Sequence, residues 1–485
     1  MGRLSTVLRA SSAVVLLAGA AGAALAATAY PPPGPADPVD LVRQIQVPAT
    51  ALHLACPSEP ALPETGVVQD QDFQREQADA VARLAVASFP REGTAGSGVL
   101  RLDATEVPLA GDGALVAALD RFPGASWARV EPVGARAALA AGAIWWRADA
   151  GDLRALVVAP CAPPASETWL VGGATDVGSS ARLELVNPGP TTATVTVQAW
   201  GPTGAVDLPL LTAVPVAAGT SQTVLLEANA AGIERMALRV VARGGQVGAA
   251  VLDSALDGLT PRGVDVVTPT LAPATELLLP GVSLAEASEP GADFVRILNP
   301  GEAAATVSVD LLTADGAVAL AGAEAVTVDA QAVFDISLAG LPAGDHAVRV
   351  RSDLPVAAAA QVGRAADGAL ERAWAVATPA LRAGALLIPG GATGRLVLAN
   401  DGAADAVVRL TGWEEDGAPG ATRDVTVPAG ATAAVETGTV VLDASEPVHA
   451  AVVLEAEAPD GTLVGVLPAS PDADVRQTVG VLLTQ

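Results

Sequence analysis

The chain reads as all-β: three tandem immunoglobulin-like β-sandwich repeats, preceded by a smaller, mostly-β N-terminal region and an N-terminal signal or anchor helix. Three observations predict this. One motif recurs three times without a gap, as "LELVNPGPTTATVTVQAWGPTGAV" from Leu183, "VRILNPGEAAATVSVDLLTADGAV" from Val295 and "LVLANDGAADAVVRLTGWEEDGAP" from Leu396. Apolar residues within it alternate with the period of two of a strand with one buried face, as in Thr194-Val195-Thr196-Val197. Helical periodicity is absent from these segments.

The first element is a short basic region with Arg3 and Arg9, followed by an uncharged run from Ala10 to Ala29. With small residues at Ala24-Leu25-Ala26 and Ala27-Thr28-Ala29 it has the form of a secretory signal, and left uncleaved it is just long enough to span a bilayer. Residues 1–29 are therefore assigned as signal peptide or signal anchor, and the following "PPPGPADP" makes 30–39 an extended spacer. Export places the remainder outside the cytoplasm, in the extracellular space or cell envelope, with any membrane contact made through the N-terminal segment.

Residues 40–165 do not fit the repeat register. "ATALHLACP" reads as a strand and "GAIWWRADAGDLRALVVAPC" as a hairpin turning at Asp149 to Asp152, while the stretch between them admits a short helix or a flexible insertion. Cys56 and Cys161 are the only cysteines, and in an exported protein an isolated pair most simply forms one disulfide. A loop of about a hundred residues closed this way is stabilised by roughly 4–5 kcal/mol in the chain-entropy model. Trp145 and Trp146 point to opposite faces of their strand, and Trp146 is taken as the possible ligand contact.

The three repeats occupy 166–273, 274–382 and 383–485. Asn187, Asn299 and Asn400 coincide, as do Gly189, Gly301 and Gly402, and then Gly204, Gly316 and Gly417. Asn caps a turn and Gly supplies positive φ, so each motif is strand, turn, strand, turn. With a leading strand and a closing hairpin, each unit carries about seven strands in roughly 100 residues, the size of an immunoglobulin-like sandwich. A six-bladed propeller, with every repeat split into two blades, is the architectural rival, and the unlikeness of the two halves of a repeat counts against it. Trp200 and Trp413 share a repeat position with Leu312, which favours a core role there over sugar stacking.

Charge excludes some functions. The net charge is -26, every one of the 27 basic residues is Arg, and no basic run appears, so a nucleic-acid partner is not expected. The carboxylates are scattered over a solvated surface. His53, His346 and His449 occupy unrelated repeat positions and suggest no metal site. "GASWA" around Ser126 lacks the second Gly of a nucleophile elbow. "DQD" at 70–72 and "DAD" at 472–474 have carboxylates at alternate positions, as calcium sites do, but continue into no known loop. "LPETG" at 62–66 has the form of a sortase signal at the wrong end of the chain and reads as a loop. No cofactor and no catalytic residue is expected.

Cys161 through Val197, with its Trp169-Leu170-Val171-Gly172-Gly173 and Asn187-Pro188-Gly189 stretches, resembles an uncharacterised family of exported actinobacterial proteins, a domain of unknown function. That resemblance implies an envelope location and no assigned activity. The expectation is a non-catalytic exported envelope protein: a tandem-sandwich spacer or docking array for envelope proteins or wall glycans. The alternatives are a carbohydrate-binding protein with an aromatic platform and, after it, a hydrolase of wall polymers.

Overall fold

The computed structural model describes residues 42–46, 49–61, 79–91, 93–366, 368–476 and 478–482. The signal segment, the Pro-rich spacer, "LPETG" and "DQD" lie outside the described residues. The chain divides into two units. In the smaller, strand Val42–Gln46 pairs antiparallel with Thr478–Leu482. The larger unit, Pro48–Val475, carries everything that follows.

The larger unit is all-β, its helical content among the described residues limited to short 3-10 turns. Alternation becomes strand as expected: in Ala193–Gly201 the side chains at Ala193, Val195, Val197 and Ala199 are buried, and those between them are exposed or half-buried. Each repeated Asn ends its strand inside the protein. Asn187 is wholly buried, its Nδ2 donating to the carbonyls of Thr191 (2.8 Å) and Val216 (2.9 Å) and its Oδ1 accepting from the Gly189 amide (3.0 Å). Asn299 and Asn400 repeat the arrangement with Ala303, Val328 and Gly301, and with Ala404, Val427 and Gly402.

The architecture departs from the sequence expectation. The structure has four copies of the unit, and they form one four-bladed, propeller-like ring instead of a row of immunoglobulin-like sandwiches. Blade 1 runs from Leu52–Cys56 to Ala155–Pro160, blade 2 from Glu167–Val171 to Thr260–Val267, blade 3 from Ala274–Leu284 to Ala369–Val376, and blade 4 from Leu381–Leu386 to Gly461–Pro468. Blade 1 is the unrecognised copy. Its sheets, ordered 52–56, 126–130, 98–102, 105–108 and 115–119, 80–89, 139–148, 155–160, have the strand order of blade 2. The stretch before Phe89 that admitted a helix is strand Ala80–Phe89. In blades 3 and 4 the two sheets are joined, because one long strand, Gly344–Ala366 or Val440–Ala458, serves both.

Packing decides between ring and row. Independent sandwiches would each enclose a private core, yet here the apolar clusters cross the boundaries. Leu54, Phe122 and Ile144 of blade 1 share a cluster with Leu252 and Val264 of blade 2. Leu183 and Val251 of blade 2 share one with Trp374 and Leu298 of blade 3, and Val350 of blade 3 with Val453 and Val466 of blade 4. The series closes where Leu396 and Leu442 of blade 4 meet Leu156 and Val158 of blade 1. The last strands of the four terminal hairpins pack on one another in the order blade 1, 2, 3, 4 and back to 1. Radial repetition of this kind leaves few open sheet edges.

Close approach at the ring centre requires small residues. A Cβ at Gly465 of blade 4 would stand 2.6 Å from Val158 Cγ2 and 2.9 Å from the Leu156 carbonyl of blade 1. No helix among the described residues is long and apolar enough to cross a membrane, so a transmembrane helix is not part of the described fold.

Candidate functional site

The disulfide Cys56–Cys161 is present, with both cysteines wholly buried, and ties the first strand of blade 1 to the end of its last. Beside it, Ala55 and Ala162 exchange backbone hydrogen bonds of 2.8 and 2.9 Å. The pair is a staple of blade 1.

Trp146 presents no exposed platform, although it lines a cleft of about 290 Å³ with Glu59, Asp79 and Arg121. It is only 4% exposed and lies in the cluster shared by blades 1 and 2. Its neighbour Trp145 is the half-buried one, packed against the blade 4 cluster. Without an exposed aromatic at this place the carbohydrate-platform reading fails, and the ring disposes of the tandem spacer or docking array. Ser126 is buried in strand Ser126–Val130. The carboxylates of "DAD" belong to arginines: Asp472 pairs with Arg91, and Asp474 accepts from Arg136 Nε at 2.7 Å and from the Ala137 amide at 3.1 Å. His346 and His449 are buried against the carbonyls of Pro342 (3.1 Å) and Thr378 (2.8 Å), and burial pushes both imidazoles below their ordinary value.

The repeat position shared by Trp200, Leu312 and Trp413 leads to the site. In blade 2 Trp200 stacks on Trp169 with ring centroids 5.7 Å apart, and in blade 3 Leu312 is fully buried. In blade 4 Trp413 instead leans across the ring closure onto Phe89 of blade 1 and forms the wall of a surface cleft of about 340 Å³. Gly412, Gly420 and Gly438 line it with backbone alone. Glu414, Glu415, Arg423 and Glu436 line it, with Thr439 at its base, where Oγ1 accepts from the Ile388 amide (3.0 Å).

Blade 1 holds the rim in place. Arg83 Nη2 pairs with Glu415 at 2.5 Å while its Nη1 pairs with Asp120 at 2.6 Å, and the Ala114 amide donates to the Gly417 carbonyl at 2.9 Å. Arg423 is turned to the Glu436 carbonyl. Neither Glu414 nor Glu436 has an ion-pair partner among the described residues. The result is an acidic, half-open groove with one indole wall, rigid on the blade 1 side. It holds carboxylates and hydroxyls but no nucleophile and base in hydrogen-bond contact.

These features define a closed all-β ring whose fourth blade carries a polar cleft. A model of the family of unknown function DUF5719 matches residues 116–438, from the middle of blade 1 into blade 4 and about two-thirds of the chain. The chain belongs to that family. No curated protein matches it.

Proposed function

We propose that the chain is an exported, non-catalytic binding protein of an actinobacterial envelope, and that the blade 4 cleft receives a basic segment of another envelope protein. The carrying observation is the departure of one copy from the other two that share the Asn-turn motif. At the position where Trp200 and Leu312 fill a core, Trp413 is given over to a cleft, and the turn beyond it gains Glu414 and Glu415. Copies of one unit keep what folding needs, so an unshared acidic groove in which Glu414 and Glu436 lack an ion partner among the described residues is best accounted for by something outside the chain. The net charge of -26 favours encounter with a basic surface. The N-terminal sequence and the cysteine pair support export.

The test is photocrosslinking in intact cells from position 436, compared with position 198 of blade 2. A discrete envelope partner captured only from position 436, and lost when Glu414→Arg is added, supports the reading. Equal capture from both positions, or turnover of any substrate in a hydrolase screen, sinks it.

A further inference from the structure

Side chains from three blades converge at the ring centre with their polar atoms only partly used. Arg154 of blade 1 is 2% exposed and donates from Nη2 to the Gly461 carbonyl of blade 4 at 3.0 Å, while its Nε and Nη1 make no hydrogen bond. Glu371 of blade 3 is wholly buried; Oε1 accepts from the Leu156 amide of blade 1 at 2.8 Å, and the Val464 amide of blade 4 lies near the carboxyl without completing a hydrogen bond to Oε2. Asp265 of blade 2 accepts from the Trp374 amide of blade 3 at 2.6 Å through Oδ2 and leaves Oδ1 unused. Asp253 is already taken, by Arg372 at 2.9 Å and by the Trp374 indole at 3.1 Å.

Buried donors and acceptors left unmade cost more than an ordinary hydrogen bond contributes, so four such atoms at one meeting point call for a ligand. Its chemistry is constrained. The free N–H groups of Arg154 repel a bare cation, and an anion could donate nothing to the free oxygens of Glu371 and Asp265. A small neutral molecule that both donates and accepts satisfies every group. We propose that the ring centre is a buried solvent site, in which ordered water links Arg154 to Glu371 and Asp265 and so joins blades 1, 2 and 3 through hydrogen bonds that no side chain completes. Buried water with several polar partners is an integral part of folded structure.

A crystal structure of the intact chain, at a resolution that shows solvent, tests this directly. Ordered density is expected within hydrogen-bond distance of Arg154 Nη1 and Glu371 Oε2. A dry centre, with Arg154 and Glu371 in direct contact, overturns the proposal. Glu371→Gln keeps an acceptor for Leu156 and a partner for water, so density is expected to persist, as is the melting temperature when the two proteins are compared below about pH 4. Glu371→Leu should lose the density and melt several degrees lower; a dry Leu variant as stable as the parent also overturns it. If the Leu variant does not fold, the Gln structure decides.

Discussion

Phe89 and Trp413 meet with ring centroids 5.8 Å apart and planes inclined by 53°, one on the first blade and the other on the fourth. Phe89 ends the blade 1 strand that corresponds to the Asn-terminated strands of blades 2–4, so the copy without the Asn turn is the one that supplies the aromatic for closure. Trp413→Ala should therefore weaken the seam between first and last blades. Loss of a half-buried indole is expected to cost about 2–3 kcal/mol, below the range for a fully buried one. Urea unfolding would read it, and an unchanged midpoint would show that the seam is held elsewhere.

Gly465→Ala tests whether the ring is cooperative. The added methyl collides with Val158 and the Leu156 carbonyl across the blade boundary. Overpacking of this kind costs about 1–3 kcal/mol. Hydrogen exchange should then quicken in Ala155–Pro160 of blade 1 as well as in Gly461–Pro468, because the strands share one cluster. Exchange confined to blade 4 would argue for separate modules.

The Asn turns are a third point of attack. Asn400→Ala abandons the carbonyls of Ala404 and Val427 and the Gly402 amide, at an expected cost of about 2–3 kcal/mol. Asn400→Asp should be worse than Ala, since a carboxylate would face two carbonyl oxygens in a fully buried place. Thermal melts of the two variants would show the order.

Burial pushes the carboxyls of Glu184, Asp265 and Glu371 up, the last two strongly. For Glu371 the folded chain holds a proton that the unfolded chain releases near pH ~4.3, so its stabilising contribution is full below that value and is lost as pH rises through the raised folded value. Glu371→Gln does not titrate. Its stability relative to the parent should be flat below about pH 4 and then climb with pH, by up to about 1.4 kcal/mol per unit, until the folded carboxyl ionises. Taking the difference between the two proteins cancels the opposing effects of the buried histidines. Denaturant midpoints across pH would measure it, and a flat difference would mean that Glu371 is not perturbed.

Strands, their turns and the disulfide were legible because each leaves a simple mark: alternation, an Asn two residues before a Gly, two cysteines and no others. The ring was not, because alternation tells which residues share a face and not what covers that face. A usable signal was nevertheless present. Val356 to Val362 are buried on both sides of their strand, as the unbroken "VAAAAQV" implies, and a strand covered on both faces needs a neighbour beyond its own sandwich. The fourth copy was marked by its closing hairpin, whose Gly151 has positive φ like Gly258, Gly368 and Gly461. For Trp145 and Trp146 the two faces were separable, but both faces are covered, Trp146 by the cluster shared with blade 2 and Trp145 by that of blade 4, which alternation alone does not reveal. The cleft was hidden because its lining comes from three separate stretches, around residues 391, 414 and 438, whose meeting no local pattern marks.

Sharing of every apolar cluster between neighbours has a consequence for biogenesis. No segment cut at a repeat boundary keeps both walls of its interior, so the molecule has no detachable part. Blade 1 is synthesised first, yet the Leu156 and Val158 face of its inner strand is covered only when blade 4 arrives. The newborn chain must hold that greasy flank exposed through nearly the whole of its own manufacture.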